Sequence, residues 1–202
     1  MVANPRRRVD VTDAALRILG HDGSRALTHR AVDAAAQLPA GTCANYFPSR
    51  AALLLAMAQR IFERLAPDPS ELQRLTSIPH DDALPEYVGY VVERLIRSPD
   101  LARALIELRL EAARSEEISA VVTPILRQGL IDDVSFHRER GFYGGQAMVT
   151  QLHHLVNGIL LDHLTAPLDP TANPVGTAKD AARALALGWP SDETSDQPSR
   201  PK

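Results

Sequence analysis

The side chains with most chemistry to offer lie in one short stretch of this 202-residue sequence: Thr28, Arg30, Ala40, Gly41, Thr42, Asn45, Tyr46 and Arg50. The stretch holds no nucleophile beside a base, and its residue types are those that contact phosphates and base edges. Thr28 opens a short periodic segment, where its amide and hydroxyl can face a phosphate. Arg30, two positions on, can reach backbone or a base edge. Ala40, Thr42 and Asn45 are short or polar, as suits a helix entering a major groove, and Gly41 permits close approach. The Tyr46 hydroxyl can donate to a phosphate, and Arg50 is a candidate phosphate clamp.

Such residues need helices to hold them, and apolar residues do recur at helical spacing almost throughout. Val11, Ala14, Ala15, Ile18 and Leu19 predict a first helix ending at Gly23. Thr28 caps a second that carries Val32, Ala35 and Ala36 inward, and Pro39 opens a third running to about Phe47. Pro48 breaks it, Ser49 caps a fourth, and Leu53, Leu54, Met57, Ile61 and Leu65 form that helix's stripe. Pro67, Pro69 and Pro79 mark a connection. Beyond it the pattern predicts a fifth helix stopped by Pro99, a sixth capped by Asp100 and a seventh from Ser115 with Pro124 inside it. An eighth covers 146–164 and a ninth runs from Pro174 to Leu187. The expected fold is all-α with about nine helices. Residues 1–66 form a helix-turn-helix domain with a connecting fourth helix, 67–190 a helical ligand-binding and dimerisation domain, and 191–202 a disordered tail.

The run Leu27-Thr28-His29-Arg30-Ala31-Val32-Asp33-Ala34-Ala35-Ala36, continued by Leu38-Pro39-Ala40-Gly41-Thr42-Cys43-Ala44-Asn45-Tyr46-Phe47-Pro48-Ser49-Arg50, resembles the TetR family of bacterial transcriptional regulators. With the preceding helix and the following Leu53, the likeness covers the first third of the chain. It implies a ligand-responsive repressor that binds a palindromic operator as a homodimer. Gln37 stands where most relatives place glycine in the turn, and Ala44 where many carry tyrosine.

Charge agrees with that division. Residues 1–65 hold nine arginines against five acids, whereas the remainder carries thirteen bases against twenty acids. A basic head on an acidic body fits a DNA-binding module joined to something that does not touch DNA. Arg6, Arg7 and Arg8 can enter a minor groove if they form an arm. One cysteine, Cys43, rules out an internal disulfide and suits packing better than redox chemistry.

No catalytic set, phosphate-binding glycine loop or metal signature is present, so neither an enzyme nor a cofactor is expected. Adjacent His153 and His154 point about 100° apart on a helix and do not share an ion easily. The absence of a long apolar run predicts a cytoplasmic protein. Tyr87, Tyr90, Arg94, Glu107, Glu111, Phe136 and Asn157 are candidates to line an effector cavity. Met148, Leu152, Leu155, Val156 and Ile159, with Ala178, Ala181, Ala182 and Leu185, are candidates for a four-helix dimer interface. The competing reading is a helical ligand-binding or interaction protein without specific DNA binding.

Overall fold

The computed structural model describes residues 4–189, so the tail expected at 191–202 lies outside the described residues. Among the described residues ten α-helices follow one another: α1 (Pro5–Asp22), α2 (His29–Ala35), α3 (Thr42–Tyr46), α4 (Arg50–Arg64), α5 (Pro69–Thr76), α6 (His80–Ile96), α7 (Pro99–Arg114), α8 (Glu116–Glu139), α9 (Gly145–Leu164) and α10 (Pro174–Leu187). No strand occurs among the described residues, and no helix there is long and apolar enough to cross a membrane.

Helix starts are set by side chains that occupy orphan first-turn amides. Asn4 accepts from Arg6 and Arg7, Thr28 from Ala31, Ser49 from Ala52, Ser115 from Ile118, and Asn173 from Val175 and Gly176. The tenth helix is α5, which lies inside the connection expected between Pro67 and Pro79. Asp68 caps it, Pro69 takes its first position and Leu75 turns fully inward. Helix α7 starts earlier than expected, with Ser98 at the cap and Pro99 as its first residue, which leaves Asp100 in the first turn.

Two expectations for the N-terminal module are corrected. The third helix starts at Thr42 rather than Pro39, because Gly41 is left-handed (φ 87°) and the Thr42 amide donates to the Pro39 carbonyl (3.1 Å), closing a turn first. Helix α2 turns Val32 and Asp33 inward and leaves Ala35 exposed. Gln37 is the described non-glycine residue with positive φ (55°), at the position where the resemblance predicts glycine. That geometry costs an L-residue about 1 kcal/mol.

The interior falls into three apolar clusters. One joins α1–α4 to Leu101, Ala104, Leu108, Ile118 and Val122 of α7 and α8. The division near residue 66 therefore separates helices but not cores. A second cluster knits α6, α9 and α10, and a third gathers Leu75, Ala83, Tyr87 and Tyr90 with Phe136 and Phe142 beside them. Close approach of the two halves depends on Gly20: a Cβ there would stand 2.1 Å from the Asp100 carbonyl oxygen at the start of α7.

Candidate functional site

Helices α2 and α3 are locked by a side chain whose role was not anticipated. Asp33 is 3% exposed, and its carboxylate accepts from the Gly41 amide (2.7 Å) and the Cys43 amide (2.6 Å). One buried anion thus occupies two of the donors that open α3 and fixes it across the turn from α2. An Asp on the inward face of a short helix is the signal that marked it. Cys43, fully buried beside it, has its thiol pushed up to about 11 by burial and by the Asp33 charge, so it stays protonated and inert.

On the outer surface Thr28, Arg30, Ala40, Gly41 and Asn45 are exposed, while Thr42 and Tyr46 are half-buried. The Tyr46 hydroxyl accepts from the Asn4 amide (3.2 Å), leaving its own proton free to donate outward. Phe47 is buried beneath the Arg8 guanidinium, 4.9 Å from its ring centroid. Arg6, Arg7 and Arg8 belong to the first turns of α1 and are exposed, so they form a helical basic surface rather than an arm.

Arg50 is committed elsewhere than to a phosphate. Its guanidinium donates to the Leu27 carbonyl (3.0 Å), the Ser24 hydroxyl (2.7 Å) and Glu111 Oε2 (3.0 Å). Ser24 also donates to Glu111 Oε1 (2.7 Å). The node joins the start of α4 and the loop before α2 to α7, linking the exposed module to the body. Partial burial pushes the Glu111 carboxyl up, but hydrogen bonds from Ser24 and Arg50, with the charges of Arg50 and Arg114, outweigh it and hold the group below the ordinary carboxylate value. A depressed folded value means stabilisation that is present above about pH 4.3 and lost as pH falls through the folded value. Glu111→Gln should therefore unfold at lower urea than wild type near pH 7, with the gap closing as the pH is lowered below 4; a gap constant with pH would show that the charge is not what holds the node.

A module in which α1 and α4 flank two short helices with a locked turn between them, leaving a polar face exposed and joined to a helical body, is the arrangement on which the comparisons bear. The family model for the tetracycline repressor-like C-terminal domain matches residues 79–188, more than half of the chain. The chain belongs to the TetR family. Members of this family are transcriptional regulators with a helix-turn-helix domain, not enzymes. The chain is 28% identical over 202 residues to the HTH-type transcriptional repressor KstR of Mycolicibacterium smegmatis, covering 97% of this chain and 92% of that protein. Among solved structures it resembles the fatty acid degradation regulator FadR from Bacillus halodurans, with a TM-score of 0.70, 17% identity and coverage of 93% and 97%. It also resembles the multidrug binding protein EbrR complexed with imidazole, with a TM-score of 0.66, 22% identity and 94% coverage of each chain.

In this TetR-family body the residues expected to line one effector cavity separate into two groups. Tyr87, Tyr90, Arg94 and Phe136 do meet, with Tyr87 and Phe136 edge to face at 5.1 Å and Arg94 5.0 Å from the Tyr90 ring centre. The other three lie elsewhere. Glu107 lines a cleft of about 340 Å³ with His21 and Arg103, Glu111 belongs to the Arg50 node, and Asn157 accepts from Arg109 (3.0 Å). Glu107 and Glu111 are on α7 and Asn157 on α9, and neither helix contributes to the Tyr87 cluster. His153 is engaged by Asp133 (2.8 Å), and no cluster able to hold a metal occurs among the described residues.

The dimer expectation also needs correction. Met148, Leu152, Ala178 and Ala182 are buried within the chain, packed between α6, α9 and α10, and cannot face a partner. Leu155, Val156, Ile159 and Leu185 are half-buried at the edge of that cluster, and Ala181 is half-buried. Among the described residues, the large apolar side chains left exposed on these helices are Leu161 (51%) and Leu187 (83%).

Proposed function

We propose that the chain is a homodimeric repressor whose α3 enters the major groove of a palindromic operator, and that a small effector bound in the body releases it. The observation that carries this reading is the Asp33-locked turn between α2 and α3, which leaves Thr28, Arg30 and Asn45 exposed. Thr28 and Tyr46 position the phosphate backbone, and Asn45, with Ala40, Gly41 and Thr42, reads base edges. The basic face of α1 adds affinity without sequence preference. Residues up to about 66 form the DNA-binding unit and the helices beyond them the effector and dimerisation unit. Repression as the direction is supported by the likeness to the transcriptional repressor KstR. A role in the cytoplasm fits a DNA partner.

Operator fragments selected from genomic DNA provide the test. In fluorescence anisotropy, affinity should fall steeply with salt, and Asn45→Ala should narrow the gap between operator and random DNA by about 1 to 3 kcal/mol. Equal affinity for operator and random DNA in the wild type would favour the helical binding protein without specific DNA recognition.

The dimer is assigned to the outer faces of α9 and α10, two from each protomer forming a four-helix contact. Leu161→Arg should give a folded monomer in light scattering, since that side chain is half outside the single chain. An unchanged dimer would move the contact to another face.

A further inference from the structure

Tyr87, Tyr90 and Arg94 lie at helical spacing on one face of α6, against α5 and α8. The Arg94 guanidinium stacks on Tyr90, and that of Arg140, at the end of α8, lies 5.6 Å from the centre of Tyr87. Around them the walls are apolar and aromatic: Leu75, Phe136 and Phe142. Among the described residues, the buried side-chain nitrogen and oxygen atoms without a hydrogen-bond partner are the Nε of Arg94 and the Nε of Arg140. No carboxylate there forms an ion pair with either guanidinium, and Asp133, the acid whose charge reaches Arg94, is bonded to His153. Burial pushes the Arg94 guanidinium below its ordinary value, yet the group keeps its charge at any physiological pH.

Two permanently charged, partly desolvated donors that face rings and lack an anion are an incomplete arrangement, because buried charges are ordinarily paired. We propose that Arg94 and Arg140 form the anion-binding part of the effector site, and that the effector is an amphipathic carboxylate whose apolar body lies against Tyr87 and Tyr90. This rests on the reading of the body as an effector domain. The rings are nearly covered, so the apolar body enters by displacing half-buried Phe136 or Phe142. Cation–π contact alone satisfies neither Nε–H, whereas a carboxylate accepts from a guanidinium through two parallel bonds.

The same residues reach the DNA-binding unit. Arg94 Nη1 donates to the Leu65 carbonyl (2.7 Å) at the end of α4, and the Tyr90 hydroxyl accepts from the Asp68 amide (2.8 Å) just beyond. An anion that takes the free Nε–H of Arg94 holds the same planar guanidinium whose Nη1 fixes the end of the helix connecting both units, so the two contacts are coupled.

Calorimetric titration of the full-length dimer with decanoate and 4-phenylbutyrate, below micellar concentration, tests the assignment. Decanol, decylammonium and inorganic phosphate serve as comparison probes. Both carboxylates should bind, with decanol and decylammonium weaker by about tenfold or more. Arg94→Met and Arg140→Met should each weaken the carboxylates by a similar factor and bring them level with decanol. Arg140→Met removes no bond to backbone, so it keeps the test open if Arg94→Met fails to fold. Decanol binding as tightly as decanoate, undiminished binding by a folded variant, inorganic phosphate binding while neither carboxylate does, or no carboxylate binding at millimolar concentration would overturn the proposal. Operator affinity is followed separately. An uncharged compound that releases the operator would keep the effector reading and remove this one. Carboxylate binding through Arg94 and Arg140 without any change in operator affinity would keep the anion site and remove the effector reading.

Discussion

Gly20→Ala should destabilise the protein by about 3 kcal/mol, the upper end of what an overpacked methyl costs. The added Cβ would stand 2.1 Å from the Asp100 carbonyl oxygen, with the carbonyl carbon at 2.8 Å and Cα at 2.9 Å. All three are backbone atoms, so no rotamer change relieves the collision and α1 must move away from α7. Exposed Gly158 on α9 is the control, since a Cβ there meets nothing within 4 Å. Because Gly158 lies one turn from Leu161 on the face assigned to the dimer, the substitution is made in the Leu161→Arg monomer. There Gly158→Ala should stabilise by about 0.5 to 1 kcal/mol through helix propensity alone. Urea denaturation of the two variants checks both signs. A Gly20→Ala protein as stable as wild type would mean that α1 and α7 slide past each other at little cost, and that the two units are less firmly joined than their shared core indicates.

Asp33→Ala should lose about 3 kcal/mol as well, by a different route. Both of its hydrogen bonds are charge-assisted, the one from Cys43 buried and the one from Gly41 partly so, and hydrogen bonds to charged groups contribute about 1.5 to 3 kcal/mol. Removing the carboxylate strands the Gly41 and Cys43 amides at the start of α3. Asp33→Asn keeps one acceptor oxygen and sets an amide donor against the other backbone N–H, so it should fall between alanine and wild type. Because α3 carries Thr42 and Asn45, operator affinity of folded Asp33→Ala should drop by about tenfold or more at a temperature well below its melting point. Chemical denaturation and anisotropy on the same preparations separate the effects. Lost stability with unchanged operator affinity would show that α3 is held in register by packing through Cys43 and Phe47 instead.

Helix type, order and most boundaries were legible because their causes are local. Thr28, Ser49, Ser115 and Asn173 cap helices through amides a few residues away, and the apolar spacing of α1, α4 and α10 turns one face inward whatever lies opposite. Helix α5 was missed because eight residues between prolines carry too little periodicity to stand out. The start of α3 was misplaced because proline at a first helical position and proline in a preceding turn look alike in sequence, and the left-handed Gly41 decides between them.

What the sequence by itself determined is the module: an amphipathic helix, a capped short helix, a turn and a polar third helix, whose residue types and spacing are those of the family's helix-turn-helix domain. Only the tertiary structure decided which polar groups meet. Arg50 and Glu111 are 61 positions apart, and Arg94 meets Leu65 across 29, so no local pattern could pair them. Periodicity reports which face of a helix is apolar but not which neighbour covers it. That is why Met148, Leu152, Ala178 and Ala182, suited in type to a dimer contact, are instead buried within the chain. Nor does it say which helices pack around one site, which is why Glu107 and Glu111 on α7 and Asn157 on α9 fall outside the group that Tyr87, Tyr90, Arg94 and Phe136 form.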